Sequence, residues 1–357
     1  MHFSPELSFV IECCRSAFSR GEPRWPVRFE GIDTGRVVRL ARFHRVQGLV
    51  WKEISAAGIQ PPAVLSVALA ADATAIAATN LQIAVQSSKL LADFTRARVP
   101  LLFLKGLPVG KLAYGSASLK SGVDVDLLIR IADLPQAAAL LQGRGYVLTI
   151  PNRPAAEVGQ WHRIRKESVW IAPSSGVQID LHTRVADNPK MIATIGVHSP
   201  SRLVDVDNGI ELPTLGPTAS FAYLAVHGAS SAWFRLKWIC DFAALLADKP
   251  PTELDELYQE SLQLGAGRAP AQALLLADRL FGTLADNAAL KTKLVSDRVN
   301  RLLYRAALTQ LAGRSEPIEP TSRALGTLRI HWTQFLLMPG LRFKSSELVR
   351  QARAPLA

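Results

Sequence analysis

The chain has 357 residues and a formal net charge of +11, with 48% hydrophobic and 20% charged residues. This composition excludes a disordered chain and is typical of a globular protein with room for two or three domains. The sequence has no run of about 18 uncharged apolar residues, and we expect neither a transmembrane segment nor a secretory signal. Three cysteines make a poor disulfide framework, so a cytoplasmic location is predicted.

The first region, residues 1–95, is predicted to be helical. Apolar residues recur at helical spacing over 40–51, and Ala-rich periodic runs follow. The most apolar run, 64–85, is interrupted by Asp72 and Asn80. We therefore expect it to be a packed helix.

The middle region, residues 96–215, is predicted to be rich in strands. Short apolar runs alternate with turn residues there, and Pro173 to Gly176 has the composition of a hairpin turn. The predicted elements are strand 99–104, helix 107–114, strand 123–129, helix 134–142, and hairpin strands 163–171 and 177–185.

Two aspartates on one predicted strand are the most informative feature of the sequence. Asp124 and Asp126 alternate with Val125 and Leu127, so they share one face about 7 Å apart. Two carboxylates held that close repel each other unless a cation lies between them. The pattern therefore indicates a metal site.

The second hairpin strand supplies a third acid. Asp180 and His182 share one face of this strand, and Asp180 joins the first two carboxylates if the strands are neighbours. Three acids on adjacent strands suit two magnesium ions and in-line phosphoryl displacement. Because magnesium prefers oxygen ligands, His182 is interpreted as a neighbour that bonds an acid or touches substrate.

Lys105 and Gly106 follow the first predicted strand. A glycine there lets backbone N–H groups approach a triphosphate, and Lys105 adds positive charge for the same phosphates. The Lys-Gly pair alone is a weak signal, and so is the Asp-x-Asp pair alone. The ordered set of strand, Lys-Gly, helix, Asp-x-Asp strand and third acid is much more specific.

The last region, residues 216–357, is predicted to be helical and basic. Segment 231–241 is interpreted as a helix capped by Ser230 or Ser231, with Lys237 and Asp241 spaced to pair. This helix either forms a pocket wall, with Asp241 or His227 as a helper, or joins two domains through a buried pair and a core histidine. From residue 301 onward nine Lys or Arg face three acids, which suits an anionic partner or a solvated surface.

The ordered set resembles the nucleotidyltransferase superfamily with the DNA polymerase beta-like fold, and more closely a bacterial family of uncharacterised nucleotidyltransferases. The motifs that carry the resemblance are 104–107, Tyr114, 124–128, 179–182, His227 and 236–241. It implies an α+β fold in which a small mixed-sheet catalytic module is embedded between the two helical regions.

The resemblance also implies an activity, which is transfer of a nucleoside monophosphate from an NTP to an acceptor. The NTP is expected to be ATP, with Mg²⁺ or Mn²⁺ held by Asp124, Asp126 and Asp180. Nucleotide-binding residues would be Lys105, Gly106, Lys120, His182, Lys237 and Asp241. The acceptor stays open between a small molecule, a peptide in a natural-product or peptide-modification pathway, and an RNA end.

Two departures from the family pattern bear on substrate affinity. Leu107 follows Gly106 where relatives place Gly or Ser, and Lys120 stands where relatives tend to carry Arg. Lysine keeps the charge but lacks the bidentate fork of arginine. Two alternatives therefore remain: a glycosyltransferase that uses Asp-x-Asp with a nucleotide-sugar, and a catalytically inactive nucleotide-binding accessory protein.

Overall fold

The computed structural model describes residues 2–18, 28–58, 60–313, 317–322 and 326–353. Within these ranges the fold is α+β, with a seven-stranded mixed sheet between helical regions, which confirms the predicted class. The strands are β1 (Leu102–Phe103), β2 (Asp124–Leu128), β3 (Val147–Ile150), β4 (Glu167–Ile171), β5 (Gln178–His182), β6 (Ser201–Asp207) and β7 (Ile210–Leu215). Their order in the sheet is β3-β4-β5-β2-β1-β7-β6.

Helices precede, interrupt and follow the sheet. Those before it and within it are α1 (Pro5–Phe18), α2 (Thr34–His44), α3 (Gln47–Ala56), α4 (Ala63–Arg96), α5 (Leu107–Tyr114), α6 (Leu134–Gly143) and α7 (Val158–Ile164). Those after it are α8 (Pro217–Ser230), α9 (Leu236–Ala244), α10 (Pro251–Gln263), α11 (Ala269–Phe281), α12 (Ala288–Ser296), α13 (Arg298–Ala312), α14 (Leu328–Gln334) and α15 (Leu341–Ala352).

The centre of the sheet joins β2 to β5 as parallel neighbours. Their register sets Asp126 opposite Asp180 and Leu128 opposite His182. Because side chains alternate along a strand, Val125 and Leu127 enter the core on the other face, where both are buried. The pairing that the sequence required for its third acid is therefore confirmed.

Several local predictions are confirmed and others are wrong. Helix α5 spans the predicted residues, and β4 and β5 form the predicted hairpin, with Gly176 at φ +70° in its turn. However, the first hairpin run was placed too early, because residues up to Ile164 belong to α7. The β6–β7 hairpin was not predicted. Leu203 is exposed and Pro213 lies within β7, so neither strand shows a clear alternation of apolar and polar residues.

Two hydrophobic cores flank the sheet. One core is formed by the helices of both ends of the chain, and the other by α6 with the inner face of the central strands. Helix α4 contributes to both, through Leu65 and Leu69 to the first and through Leu90 and Phe94 to the second. The domain boundaries at 95/96 and 215/216 stay a prediction.

Helix α4 is, among the described residues, one helix long and apolar enough to cross a membrane. Only 17% of its apolar 18-residue window is buried, so the helix packs along one face. Polar contacts tie it to the rest of the chain. Asp72 pairs with Arg42 at 2.8 Å, and the buried amide of Asn80 donates to the carbonyls of Ala117 and Lys120 at 2.9 and 2.7 Å.

The predicted helix over 231–241 is wrong in its first half. Helix α8 runs to Ser230, whose hydroxyl donates to the carbonyl of Val226 instead of capping a new helix. The chain then turns through Ala232 and Trp233, both at positive φ, and α9 begins at Leu236. The fully buried Trp233 ring fills the space where a side chain at Gly228 would lie, so packing of this ring imposes the turn.

Candidate functional site

Three carboxylates meet on one face of the central strands. Asp124 and Asp126 project from β2, and Asp180 projects from β5 directly beside Asp126. Asp126 and Asp180 are only 2% and 8% exposed. One ligand atom each from Asp126, Asp180 and His182 lie within 4.8 Å of one another, which suits a bound cation. We call Asp124, Asp126 and Asp180 the acid trio.

Lys105 lies between two members of the acid trio. Its ammonium is 3.0 Å from Asp126 Oδ2 and 3.4 Å from Asp124 Oδ2. Burial alone would lower the pKa of Lys105, but the two carboxylates outweigh it and raise the pKa well above its usual value. Gly106, at φ +73°, turns the chain directly into α5, which a residue with a side chain would do only under strain.

His182 connects the acid trio to a fourth acid. Its Nε2 is 3.0 Å from Asp126 Oδ1 and 3.2 Å from Glu167 Oε2. Glu167 in turn pairs with Lys166 at 3.1 Å. The sequence reasoning missed Glu167, although the β4–β5 hairpin places it directly opposite His182. Pairing the two predicted hairpin strands about their turn would have found it.

The acid trio holds more negative charge than its neighbours neutralise. Burial and the charges of Asp126 and Asp124 raise the pKa of Asp180 to about 7. Burial also favours the neutral form of Asp126, but Lys105 and the hydrogen bond from His182 prevail and lower its pKa. One carboxylate is thus ionised while its neighbour holds its proton, the usual result when two acids share a site without enough positive charge.

Several buried polar atoms around this cluster have no hydrogen-bond partner. They include His182 Nδ1, Tyr223 Oη and His227 Nε2. The charges of Asp126 and Lys105 both act on Tyr223 and His227, so these two side chains lie near the same centre. Buried polar atoms are nearly always satisfied in folded proteins. Unsatisfied polar atoms beside the acid trio therefore fit a polar ligand bound at this centre.

Lys120 and Asp241 form a buried pair of their own. The Asp241 carboxylate accepts a hydrogen bond from the Tyr114 hydroxyl at 2.8 Å and forms a short ion pair with the Lys120 ammonium. Both members of the ion pair are buried. The predicted pairing of Asp241 with Lys237 is therefore wrong. A contact along one helix was anticipated, whereas the structure supplies a closer partner from the segment before β2.

Lys237 is left without an ion pair within the described part of the chain. It is half-buried, and burial together with the charges of Lys120, Lys105 and Arg45 lowers its pKa to about 7. Arg45 is held close because the Leu236 N–H donates to Nδ1 of the neighbouring His44 at 3.2 Å. The sequence did not predict that Arg45 lies near Lys237, because no local pattern relates two segments that are 192 residues apart.

The predicted site residues thus separate into three groups. Asp124, Asp126, Asp180, Lys105 and His182 come together at β2 and β5, with Gly106 beside Lys105. Lys120 and Asp241 bind each other. Lys237 stands alone, without an ion pair among the described residues. The charge of Asp124 partly offsets the lowering of its pKa.

Comparison with known proteins assigns the chain to a family. No curated protein matches it. The profile of a family described as "Uncharacterised nucleotidyltransferase" matches residues 30–282, which include the whole sheet, the acid trio and helices α8 and α9. The match spans well over half of the chain and agrees with the resemblance found in the motifs. The chain belongs to this family of uncharacterised nucleotidyltransferases.

Proposed function

We propose that the protein transfers a nucleoside monophosphate from an NTP, taken to be ATP, to an acceptor hydroxyl in a metal-dependent reaction. The observation that carries the proposal is the register that sets Asp126 beside Asp180, with Asp124 on the same strand face. Membership of the nucleotidyltransferase family supports the reaction class. The Asp-Asp-His cluster supports the requirement for a metal.

Asp124, Asp126 and Asp180 are the proposed ligands of Mg²⁺ or Mn²⁺. Their oxygens match the preference of these ions, and the cluster of Asp126, Asp180 and His182 supports this assignment. A bound ion would supply positive charge to polarise the α-phosphoryl group and to neutralise the pyrophosphate that leaves. His182 positions Asp126 through the 3.0 Å contact at its Nε2.

The remaining residues bind and orient the nucleotide. Lys105 and Lys237 supply positive charge for the triphosphate, and the backbone at Gly106 permits its close approach. The acceptor oxygen forms a bond to the α-phosphorus while the bond to the bridging oxygen breaks, and that oxygen leaves with pyrophosphate. The acceptor proton passes to solvent water, and a cation held by the acid trio would favour its loss by lowering the pKa of the acceptor hydroxyl.

Lys120 and Asp241 take a supporting role in this proposal. Their mutual neutralisation fixes the segment that leads into β2 and so positions Asp124. The domain organisation follows the same scheme, with the module of residues 96–215 supplying the acid trio. Helix α9, in the following helical region, supplies Lys237. A cytoplasmic location agrees with ATP as the donor.

The test is incubation of purified protein with α-labelled ATP, Mg²⁺ and a panel of hydroxylated metabolites, peptides and RNA ends. We expect a labelled product and released pyrophosphate from wild type and none from Asp126→Asn. Asp286→Asn, an exposed acid elsewhere, serves as the matched control and should behave as wild type. If an acceptor is labelled equally by wild type and Asp126→Asn, the proposed site is wrong.

The same experiment separates the alternatives. ATP binding by calorimetry with no pyrophosphate release across the panel would indicate an accessory nucleotide-binding protein, for which Leu107 in the phosphate loop is the main argument. Hydrolysis of a nucleotide-sugar would indicate a glycosyltransferase. Either result would overturn the proposed reaction.

A further inference from the structure

A second cleft lies between the C-terminal helix α15 and the segment that follows β5. Its volume is about 410 Å³. It is lined by six basic side chains, Arg163, Arg184, Lys190, Arg342, Arg350 and Arg353. Asp187 is the one acid that lines it. We call this the basic cleft.

Most of the positive charge in the basic cleft is not neutralised. Arg163, Lys190, Arg342 and Arg353 have no carboxylate within 4.0 Å among the residues that the structure describes. Arg350 is compensated, because it pairs with Glu347 on its own helix. An anion that enters the cleft therefore meets several unpaired cations at once, which is how phosphate-bearing ligands are held.

The walls of the basic cleft are fixed in place. Arg184 donates to the carbonyls of His162 and Ile164 at 3.0 and 2.7 Å, which joins the end of β5 to α7. On the other wall, the buried Asn188 amide donates to Glu347 at 2.9 Å and so holds α15 against the segment after β5. Because these contacts hold the walls in place, fewer side chains must become ordered when a ligand binds.

A series of interactions links the basic cleft to the acid trio. Arg184 lies two residues after His182, at which β5 ends. The charge of Asp187, in the cleft, acts on Lys166, and Lys166 pairs with Glu167 at 3.1 Å. Glu167 contacts His182 at 3.2 Å, and His182 contacts Asp126. The cleft thus lies at the end of β5 that is connected to the place where the proposed transfer occurs.

We propose that the basic cleft binds the phosphate groups of a small phosphorylated acceptor and presents its free hydroxyl to the acid trio. This inference rests on the proposed function, since it names the class of acceptor. The volume lies in the range of small-molecule sites and is too small for a nucleic-acid duplex. The proposal gives a role to Arg342, Arg350 and Arg353, which helix α15 and its C-terminal end bring to the cleft.

Pyrophosphate is the probe, titrated by calorimetry into the full-length protein in EDTA at low salt. We expect Arg342→Glu combined with Arg353→Glu to weaken binding by tenfold or more. Both side chains are exposed and unpaired, so the fold should be retained. Lys344→Glu reverses one charge on the same helix outside the cleft, and it should change the affinity by less than twofold.

A second comparison separates the cleft from the nucleotide site. Lys237→Ala should leave pyrophosphate affinity within twofold of wild type. If Lys237→Ala abolishes binding and the double variant does not, pyrophosphate binds at the nucleotide site and the proposal is overturned. It is also overturned if a short single-stranded RNA binds in the cleft a hundredfold more tightly, since the ligand is then a nucleic acid.

The proposed function is tested separately by labelled ATP with acceptors that carry no phosphate. Transfer to such an acceptor without pyrophosphate binding in the cleft refutes only the cleft. Binding in the cleft together with equal labelling by wild type and Asp126→Asn refutes the proposed catalytic site, and with it the presentation of an acceptor to the acid trio.

Discussion

Two buried charge clusters lie close together in this protein, and they differ in how their charges are balanced. In the first, the Asp241 carboxylate is matched by Lys120 and by the Tyr114 hydroxyl. In the second, the four carboxylates of the acid trio and Glu167 share only two lysine ammonium groups among the described residues, those of Lys105 and Lys166. The same residue types therefore form a neutralised structural pair in one place. In the other they form a site with excess negative charge that can bind a cation.

The difference shows that a residue in or near a sequence motif can have a structural partner that the motif does not reveal. Asp241 lies in a segment that carries the family resemblance, Lys120 lies shortly before another, and both were expected to bind nucleotide. Their mutual contact occupies both groups. A buried pair of this kind is costly to break, because each charge is left without a partner in a poorly polarisable environment.

The largest expected effect is on catalysis. Asp126→Asn keeps the shape of the side chain but removes its charge, so the transfer rate should fall by about a thousandfold or more. Asp286→Asn should leave the rate unchanged. The measurement is pyrophosphate release with saturating ATP and Mg²⁺. A loss of less than about tenfold would mean that Asp126 is not at the reacting centre.

The second prediction contrasts the two clusters in stability. Lys120→Met leaves the buried Asp241 unpaired, and the free energy of unfolding should fall by about 3–5 kcal/mol. Lys105→Met removes the cation between Asp124 and Asp126, and Mg²⁺ should restore stability to this variant by binding the folded state.

Urea unfolding of both variants, with and without Mg²⁺, measures this contrast. Mg²⁺ should raise the midpoint of Lys105→Met by more than it raises the midpoints of wild type and Lys120→Met, which keep the Lys105 ammonium between the acids. Equal responses of the two variants would show that the acid trio does not differ from the structural pair in its need for a cation.

A smaller effect is expected from the pH dependence of ATP binding. Because the pKa of Lys237 is lowered to about 7, its ammonium is charged below pH 7 and loses its proton above. ATP affinity, measured without metal, should therefore fall as the pH rises through 7, by about tenfold if one charged contact is lost. Lys237→Arg stays charged and should remove this dependence. A wild-type pH profile that this substitution leaves unchanged would exclude Lys237 from phosphate binding.

Much of the site was predictable because strand periodicity is a strong local signal. Asp124, Asp126 and Asp180 alternate with buried residues that lie opposite one another across β2 and β5. Alternation fixes which residues share a face, so the acid trio followed once the two strands were taken as neighbours.

What escaped prediction depends on contacts between distant segments. Arg45 reaches the site through a hydrogen bond between His44 and Leu236, and the turn at Trp233 is imposed by packing on Gly228. Neither leaves a periodic pattern in the sequence. The choice of Lys120 over Lys237 as the partner of Asp241 is likewise decided by how the segment before β2 packs.

The most direct test of the account is a titration of Mn²⁺, followed by loss of the free-ion signal in electron paramagnetic resonance. Wild-type protein and Asp286→Asn should bind the ion with equal affinity. The double variant Asp126→Asn with Asp180→Asn should bind at least about a hundredfold more weakly, because two of its three carboxylate ligands have lost their charge. A double variant that binds Mn²⁺ as tightly as wild type would contradict the assignment of the acid trio as the metal centre.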